Sequence, residues 1–411
     1  MRKKIFISAF EIKDIGGIST SVYNFIRTIA PYYDIDLCVL TNFITNRYRF
    51  PDNVRIFPFS SLFEDVYGDK KRIKTSLFGK IRLTALRTVR KMYGYERMLP
   101  LVMKSTRFED EYDVGIAFWN DLYNAKGVMK MGGDYFNIIH NVRAKQKIAW
   151  VHNDAKQLGF TQDICKRIFK DFDAIVNVSY DCKRGFDKMI PEYEHKSYVV
   201  YNCYSIDEIK TKMNEENPFE NNGKLHFVTV CRMNEQQKRV SRIVEACKRL
   251  KCEGYNNFDW TVVGDGADKA TYESKSQANG TTDILHFVGL KTNPYPYMKQ
   301  ADAFILSSLY EGFGMTIREA QITGTPTFST RFGAAEEAIE VGKQGEICDN
   351  STEGLYSMVK RILDEPSQLG LYRQYIKDHP VTNDISKKQF ESIINKISSI
   401  PQTSKSFCVK V

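Results

Sequence analysis

No stretch of this 411-residue chain approaches the roughly 18 consecutive apolar residues of a membrane-spanning helix. An integral helical membrane protein is therefore not expected. The N-terminal MRKKIFISAF has a charged start but neither a long apolar region nor a cleavage site, so it reads as a first strand rather than a signal peptide. Nine cysteines (38, 165, 182, 203, 231, 247, 252, 348 and 408) contain no C-x-x-C pair. Scattered singly, several within apolar runs, they read as reduced, mostly buried thiols of a cytosolic protein. H-E-x-x-H, G-x-S-x-G and P-loop patterns are all missing. VVGDGAD (262–268) offers G-x-G after a strand but no third glycine at dinucleotide spacing, which argues against a nicotinamide enzyme. Asp34-Ile-Asp36 and Asp171-Phe-Asp173 have no clustered partners that would hold a metal.

What is present is enough to build cores. Hydrophobic residues make up 42% and aromatics 13% of the chain, so a mostly disordered protein is excluded and two or three domains are expected. Basic charge is concentrated. Between Lys70 and Arg107 there are twelve Lys or Arg and one acid, Glu96, against a net +9 for the whole chain. The remainder is thus close to neutral. Ile73, Leu77, Ile81, Leu86 and Val89 recur there at roughly helical spacing. A basic amphipathic helix fits an anionic membrane surface; a solvated helix face is the plainer alternative. Nucleic acid is not expected, because no recognition motif accompanies the charge.

Short apolar runs rich in β-branched and aromatic residues alternate with amphipathic segments. In the first half they are IFISAF (5–10), IDLCVL (35–40), VRIFPF (54–59), VGIAFW (114–119), KIAWVH (147–152), AIVNVS (174–179) and SYVVYN (197–202). A polar stretch, TKMNEENPFENNGK (211–224), interrupts the pattern. It restarts with HFVTVC (226–231), DWTVVG (259–264), DILHFVG (283–289), AFILSS (303–308) and TPTFST (325–330). Continuous apolar strands between helices predict parallel sheets covered on both faces, hence two α/β units. The expected division is an N-terminal domain over 1–203, a C-terminal domain over 204–380, and a terminal helix and tail over 381–411 that returns to the N-terminal domain. The PQTSKSFCVKV end reads as polar and loose. In doubly wound sheets ligands sit beyond the carboxyl ends of strands, so the turns after strands carry the chemistry.

Four such turns stand out. After AFILSS comes Tyr310-Glu-Gly-Phe-Gly-Met-Thr-Ile-Arg-Glu, with a helix expected from Met315 to Ile322, closed by Gly324 and Pro326. N–H groups at its start would suit a phosphate, while Glu311 and Glu319 would accept hydrogen bonds from hydroxyls; the plainer alternative is a simple turn with solvent-facing glutamates. After HFVTVC, Arg232 and Lys238 present two cations that would stabilise a diphosphate leaving group, or else are ordinary surface charges. After IFISAF, Gly16-Gly17 would let backbone approach a ligand, with Ser19 or Thr20 capping the next helix. His152, at the end of KIAWVH, either contacts a substrate or transfers a proton, or is a structural histidine.

The order and spacing of these turns resemble the retaining glycosyltransferases of family 4. The strongest part is 283–339, where Glu311 and Glu319 stand with seven residues between them in an EGFG…EA…G-x-P setting. CRMNEQQKRVSRIVEA resembles the family's Arg/Lys phosphate segment. VVGDGAD, VSYDCKRGF and VVYNCYSID also resemble family segments. The chain departs from the pattern at Phe332-Gly-Ala-Ala-Glu-Glu, where the family often has two glycines: Ala334 replaces the second, and neither Glu336 nor Glu337 is given a role.

The resemblance implies a GT-B fold, two Rossmann-like domains facing a central cleft. It implies that Arg232 and Lys238 bind the donor's diphosphate, together with backbone N–H groups of the Gly312, Phe313, Gly314, Met315 and Thr316 turn. Glu311 would hold sugar hydroxyls and Glu319 the ribose. Gly16 and Gly17 would close over the donor, His152 would contact the sugar, and Gly289 and Leu290 would lie against the base. No metal or other cofactor is expected. The implied activity is transfer, with retention, of a sugar from a nucleotide-sugar donor, a UDP-sugar being the first expectation. The acceptor would be a glycan or polyprenyl-linked glycan in cell-surface polysaccharide, capsule or lipopolysaccharide synthesis, met by a cytoplasmic protein peripheral on the inner face of the membrane. The alternatives are an epimerase or phosphorylase of the same architecture, and a non-catalytic partner subunit.

Overall fold

The computed structural model describes residues 2–13, 16–45, 48–69, 73, 76–104, 106 and 108–399. Lys70, Lys71, Arg72, Lys74 and Arg107 of the basic segment, and the tail from 400 on, lie outside the described residues. Two compact units are present. One gathers the residues up to Val178, Cys182–Cys203 and the chain from Asn383; the other gathers Ser179–Asp181 and Tyr204–Thr382.

The first unit holds β1 (Lys4–Ala9), β2 (Asp34–Val39), β3 (Val54–Pro58), β4 (Glu111–Ala117), a hairpin of β5 (Leu122–Tyr123) and β6 (Met129–Met131), β7 (Arg143–Val151), β8 (Ala174–Asn177) and β9 (Ser197–Val199). Apart from the hairpin these form one sheet in the order β3-β2-β1-β4-β7-β8-β9, every pair parallel. The central strands are buried along nearly their whole length, as covering both faces requires. The helix Asp384–Ser398 belongs to this unit through Phe390, which lies edge-on to Phe25 at 4.9 Å and 6.3 Å from Trp150.

The second unit holds β10 (Leu225–Val230), β11 (Phe258–Val263), β12 (Leu285–Gly289), β13 (Ala303–Leu306), β14 (Thr327–Thr330) and β15 (Gly345–Cys348), in the order β12-β11-β10-β13-β14-β15. All neighbours are parallel. Counted along the chain this is the doubly wound order 3-2-1-4-5-6, whose switch point lies between its first and fourth strands, here β10 and β13. In the first unit the corresponding point lies between β1 and β4.

The basic segment contains the helix Leu77–Tyr93, capped by Ser76, whose Oγ accepts from Gly79 N–H. Ile73 falls outside it. Leu86 turns inward while Leu77, Ile81 and Val89 face outward, so the five apolar residues of the sequence reading do not form one stripe. Among the described residues no helix is long and apolar enough to cross a membrane. Of the eight described cysteines, seven are buried.

Candidate active site

The switch point of the second unit brings together residues more than 70 positions apart. β10 ends at Val230, and the chain passes Arg232 into a short helix, Glu235–Lys238. Asn234 caps that helix by accepting Gln237 N–H at 3.3 Å. β13 ends at Leu306 and leads through Ser307 and Ser308 to Glu311. Lys238 Nζ and the Glu311 carboxylate form an ion pair, both side chains largely buried. Ser308 Oγ donates to Glu311 at 2.7 Å and Gln237 Nε2 at 3.2 Å. Two bonds to main-chain carbonyls lock the loops to each other: Leu309 N–H donates to Gln237 O at 2.7 Å, and the Ser307 side chain, through Oγ, to Lys238 O at 2.8 Å. Glu311 is therefore held by a cation and two neutral donors in a fixed orientation. Gln237 and Ser308 were not among the expected site residues. The only signals they carry in sequence are proximity to Lys238 and to Glu311.

The glycine turn is built as its helix start requires. Gly314 is the N-cap of Met315–Ile322 and takes the left-handed conformation, φ 68°. Ile317 N–H donates back to Gly314 O at 3.0 Å, while the N–H groups of Met315 and Thr316 have no partner inside the helix. The helix closes with Gly324 at φ 85°, Gly324 N–H donating to Gln321 O and Thr325 N–H to Ala320 O, both at 3.0 Å. These are the paired bonds of a Schellman ending. Gly312 O accepts from Ser179 Oγ at 2.8 Å. Glu319 lies in the second helical turn and is nearly buried at 9% exposure, rather than facing solvent. Arg232 is exposed, on the same loop as Lys238.

VVGDGAD supports that loop. A side chain at Gly264 would meet Cys231 O at 1.9 Å, and one at Gly266 would meet Met233 O at 2.1 Å. Cys231 N–H donates to Val263 O and Met233 N–H to Asp265 O. The two glycines let this turn lie directly on the Arg232 segment, a role that dinucleotide spacing does not address. Gly289, at φ 71°, accepts from Gly264 N–H at 2.9 Å, and Leu290 beside it is half exposed. Glu337 accepts the backbone N–H groups of Tyr180 and Asp181 at 2.9 and 2.8 Å. The side chain of Asp181 occupies the space a Cβ on Gly333 would need.

Gly16, Gly17 and His152 belong to the first unit. The helix starts at Gly17 with Gly16 as its N-cap. Neither Ser19 nor Thr20 is the cap, contrary to expectation: Ser19 is inside the first turn, and its Oγ accepts Lys13 N–H at 3.0 Å, tying down the preceding loop. His152 follows β7. Its Nε2 lies 2.7 Å from Phe118 O, a carbonyl that can only accept, so Nε2 carries the proton and Nδ1 is left as an acceptor. Burial pushes its pKa down to about 4, with the Phe118 bond opposing. His152 is thus neutral near pH 7. Asp121 lies just past the end of β4, 5% exposed, accepting Gly133 N–H at 2.9 Å. Burial raises its pKa to about 7. Asp134, wholly buried, accepts from Ser8 Oγ at 2.6 Å, and burial raises its carboxyl well above the ordinary range. Neither aspartate was expected. Asp36, from a D-x-D pair, serves structure by binding Arg55 and Tyr112. Among the described residues no cluster of metal-ligating side chains occurs.

Comparison with known proteins shows what this chain is similar to. Residues 180–379 match the family model described as glycosyl transferases group 1. An uncharacterized glycosyltransferase of Methanocaldococcus jannaschii is 26% identical over 206 residues, 47% of this chain and 50% of the relative. The lipopolysaccharide core biosynthesis glycosyltransferase LpsD of Rhizobium meliloti is 26% identical over 133 residues, 32% of this chain and 37% of the relative. The chain thus spans half or less of the length of these curated relatives. The structure of Anabaena HepE in complex with UDP and glucose superposes with a TM-score of 0.63 at 13% identity, covering 97% of this chain and 98% of that one. The fold is GT-B.

Proposed function

We propose, from the match of residues 180–379 to glycosyl transferases group 1 and from the GT-B fold, that this protein moves a sugar from a nucleotide-sugar donor to a glycan acceptor with retention of configuration. The observation that carries the reading is the Lys238–Glu311 pair, clamped by Gln237 and Ser308 at the switch point beside the Gly314-capped helix. A cation and a helix start suit a diphosphate; a carboxylate with a free lone-pair side suits sugar hydroxyls.

In this reading Arg232 and Lys238 stabilise the departing nucleoside diphosphate, with N–H groups of the turn from Gly312 to Thr316. Glu311 orients the sugar, and Glu319 holds the ribose. Gly289 and Leu290 meet the base. A UDP-sugar is the donor we favour, as HepE binds UDP. No metal is called for, because cations and helix start supply the countercharge. Gly16 and Gly17 contribute backbone to the donor. His152, being neutral with Nδ1 as acceptor, would take a hydrogen bond from a sugar hydroxyl rather than act as a general acid. The acceptor we favour is lipid-linked, in lipopolysaccharide or other cell-surface polysaccharide synthesis, reached by a cytoplasmic protein peripheral on the inner face of the membrane.

The test is a panel of nucleotide sugars screened for thermal stabilisation and transfer, with the product's anomeric centre read by NMR. One donor is expected to stand out and to give product of unchanged anomeric configuration. An inverted product would overturn retention, and epimer formation without acceptor would turn the reading to an epimerase.

A further inference from the structure

The Leu77–Tyr93 helix buries Leu83 and Arg87 and shows a second apolar face to water. A surface helix normally buries its apolar stripe and shows its charges to water. Here Arg87 is buried, its Nε donating to Asp65 O and its Nη2 to Gly68 O, each at 2.9 Å. Arg90 Nη1 donates to Val66 O at 2.8 Å. These guanidinium groups take up carbonyls at the end of the Ser61–Tyr67 helix, which have no partner within it. The outward face carries Leu77, Phe78, Ile81 and Met92, exposed by 72, 83, 60 and 78%. At about 100° per residue these fall on one arc together with Ala85, Thr88 and Val89. Six of the fifteen exposed large apolar residues among the described positions belong to this single helix.

Charge borders the stripe. Lys80 and Lys91 lie along one edge, Arg82 along the other, and the helix contains no acid. Arg82 is paired with Asp65; the two lysines are not paired with any described acid. Between the last turns of this helix and the β5–β6 hairpin runs a groove of about 470 Å³, lined by Thr88, Arg90, Lys91 and Lys130 among others, with half-exposed Val128 on its wall.

We propose that this face docks on an anionic lipid bilayer, the apolar stripe entering the headgroup–acyl boundary and the groove receiving lipid phosphate. The layering fits: apolar side chains at the outermost level, ammonium groups set back beside them, no carboxylate within the helix. A second copy of the chain is a poorer occupant, since pairing the face with itself would bring lysine against lysine. The proposal deepens the membrane-facing part of the reading above and rests on it for the acceptor's location only.

The experiment is flotation of the full chain with phosphatidylglycerol-containing and purely phosphatidylcholine vesicles at low and high salt. Nucleotide-sugar binding is measured on the same samples. The protein is expected to float with the anionic vesicles alone, and less so in high salt. Phe78→Ser/Ile81→Ser/Met92→Ser should lower the bound fraction about tenfold or more, and Lys91→Glu/Lys130→Glu about as much, without changing donor binding. All five side chains are exposed, so folding is not at stake. Equal flotation of the triple variant, or flotation indifferent to lipid charge, would sink the proposal. So would self-association in sedimentation that the triple variant abolishes while flotation persists. Loss of donor binding with flotation intact would instead count against the transferase reading and leave the docking surface standing.

Discussion

The chain uses one strand order twice and furnishes the two switch points in opposite ways. Between β10 and β13 the furnishing is ionic: Lys238 against Glu311, with Arg232 exposed on the same loop. Between β1 and β4, and at the adjacent end of β7, burial pushes the titratable groups toward their uncharged forms. His152 has its pKa pushed down to about 4, Asp121 has its pKa pushed up to about 7, and burial raises the Asp134 carboxyl well above the ordinary range. Topology supplies the place, and local desolvation decides whether that place holds charge. The ionic site is fitted for a ligand that brings charge with it. The other is fitted for hydroxyls, and for holding a loop without an uncompensated ion.

The comparison breaks most easily at its ionic end. Lys238→Ala should reduce transfer by about 10²–10³-fold, because on the proposed reading it removes the charge that stabilises the leaving group. A steady-state assay beside circular dichroism checks this; near-full activity with an intact fold would remove Lys238 from the site. At the other end the effects fall on stability, and they have opposite slopes. The folded pKa of Asp121 lies above its unfolded value of 3.8. Its folded form keeps a proton that the unfolded chain releases, so its contribution is full below about pH 4 and is lost as pH rises through about 7. Asp121→Asn retains the acceptor for Gly133 N–H and should raise stability at pH 8 by on the order of 2 kcal/mol, with the gain vanishing near pH 4. Urea denaturation at both pH values measures it. His152 runs the other way and is the smaller effect. Its folded pKa lies below 6.5, so stability is full above about pH 6.5 and declines as pH falls toward 4. His152→Gln, able to donate to Phe118 O, should flatten that acid-side decline by about 1–2 kcal/mol. A variant whose pH profile matched the parent's would show that His152 is charged in the fold.

Much of this was readable beforehand, and the reasons are specific. Parallel strands buried on both faces must be continuous apolar runs, so IFISAF, DWTVVG and AFILSS declare themselves. GEIC (345–348) was not read as a strand, because it is four residues long and carries Glu346. The β5–β6 hairpin, of two and three residues, offers no period to detect. Met315–Ile322 was legible at both ends through Gly314 and Gly324. Ser19 and Thr20 look like caps in sequence but lie within the helix, because glycine at the preceding positions lets it start earlier. Gln237 and Ser308 escaped notice, since their roles depend on a loop more than 70 residues away.

By itself, then, the sequence determined the long buried strands, where the glycine turns lie and which charged side chains stand at strand ends. Those are properties of neighbours along the chain: periodicity, β-branching, a residue free to adopt positive φ. Three things waited for the tertiary structure. The pairing of Lys238 with Glu311 follows from β10 lying beside β13. The shift of His152 and Asp121 toward their uncharged forms follows from water being excluded around them. The outward turn of Leu77, Phe78, Ile81 and Met92 follows from arginines being claimed by the carbonyls beneath. Each depends on which surfaces meet and which stay wet, and no local window of residues contains that information.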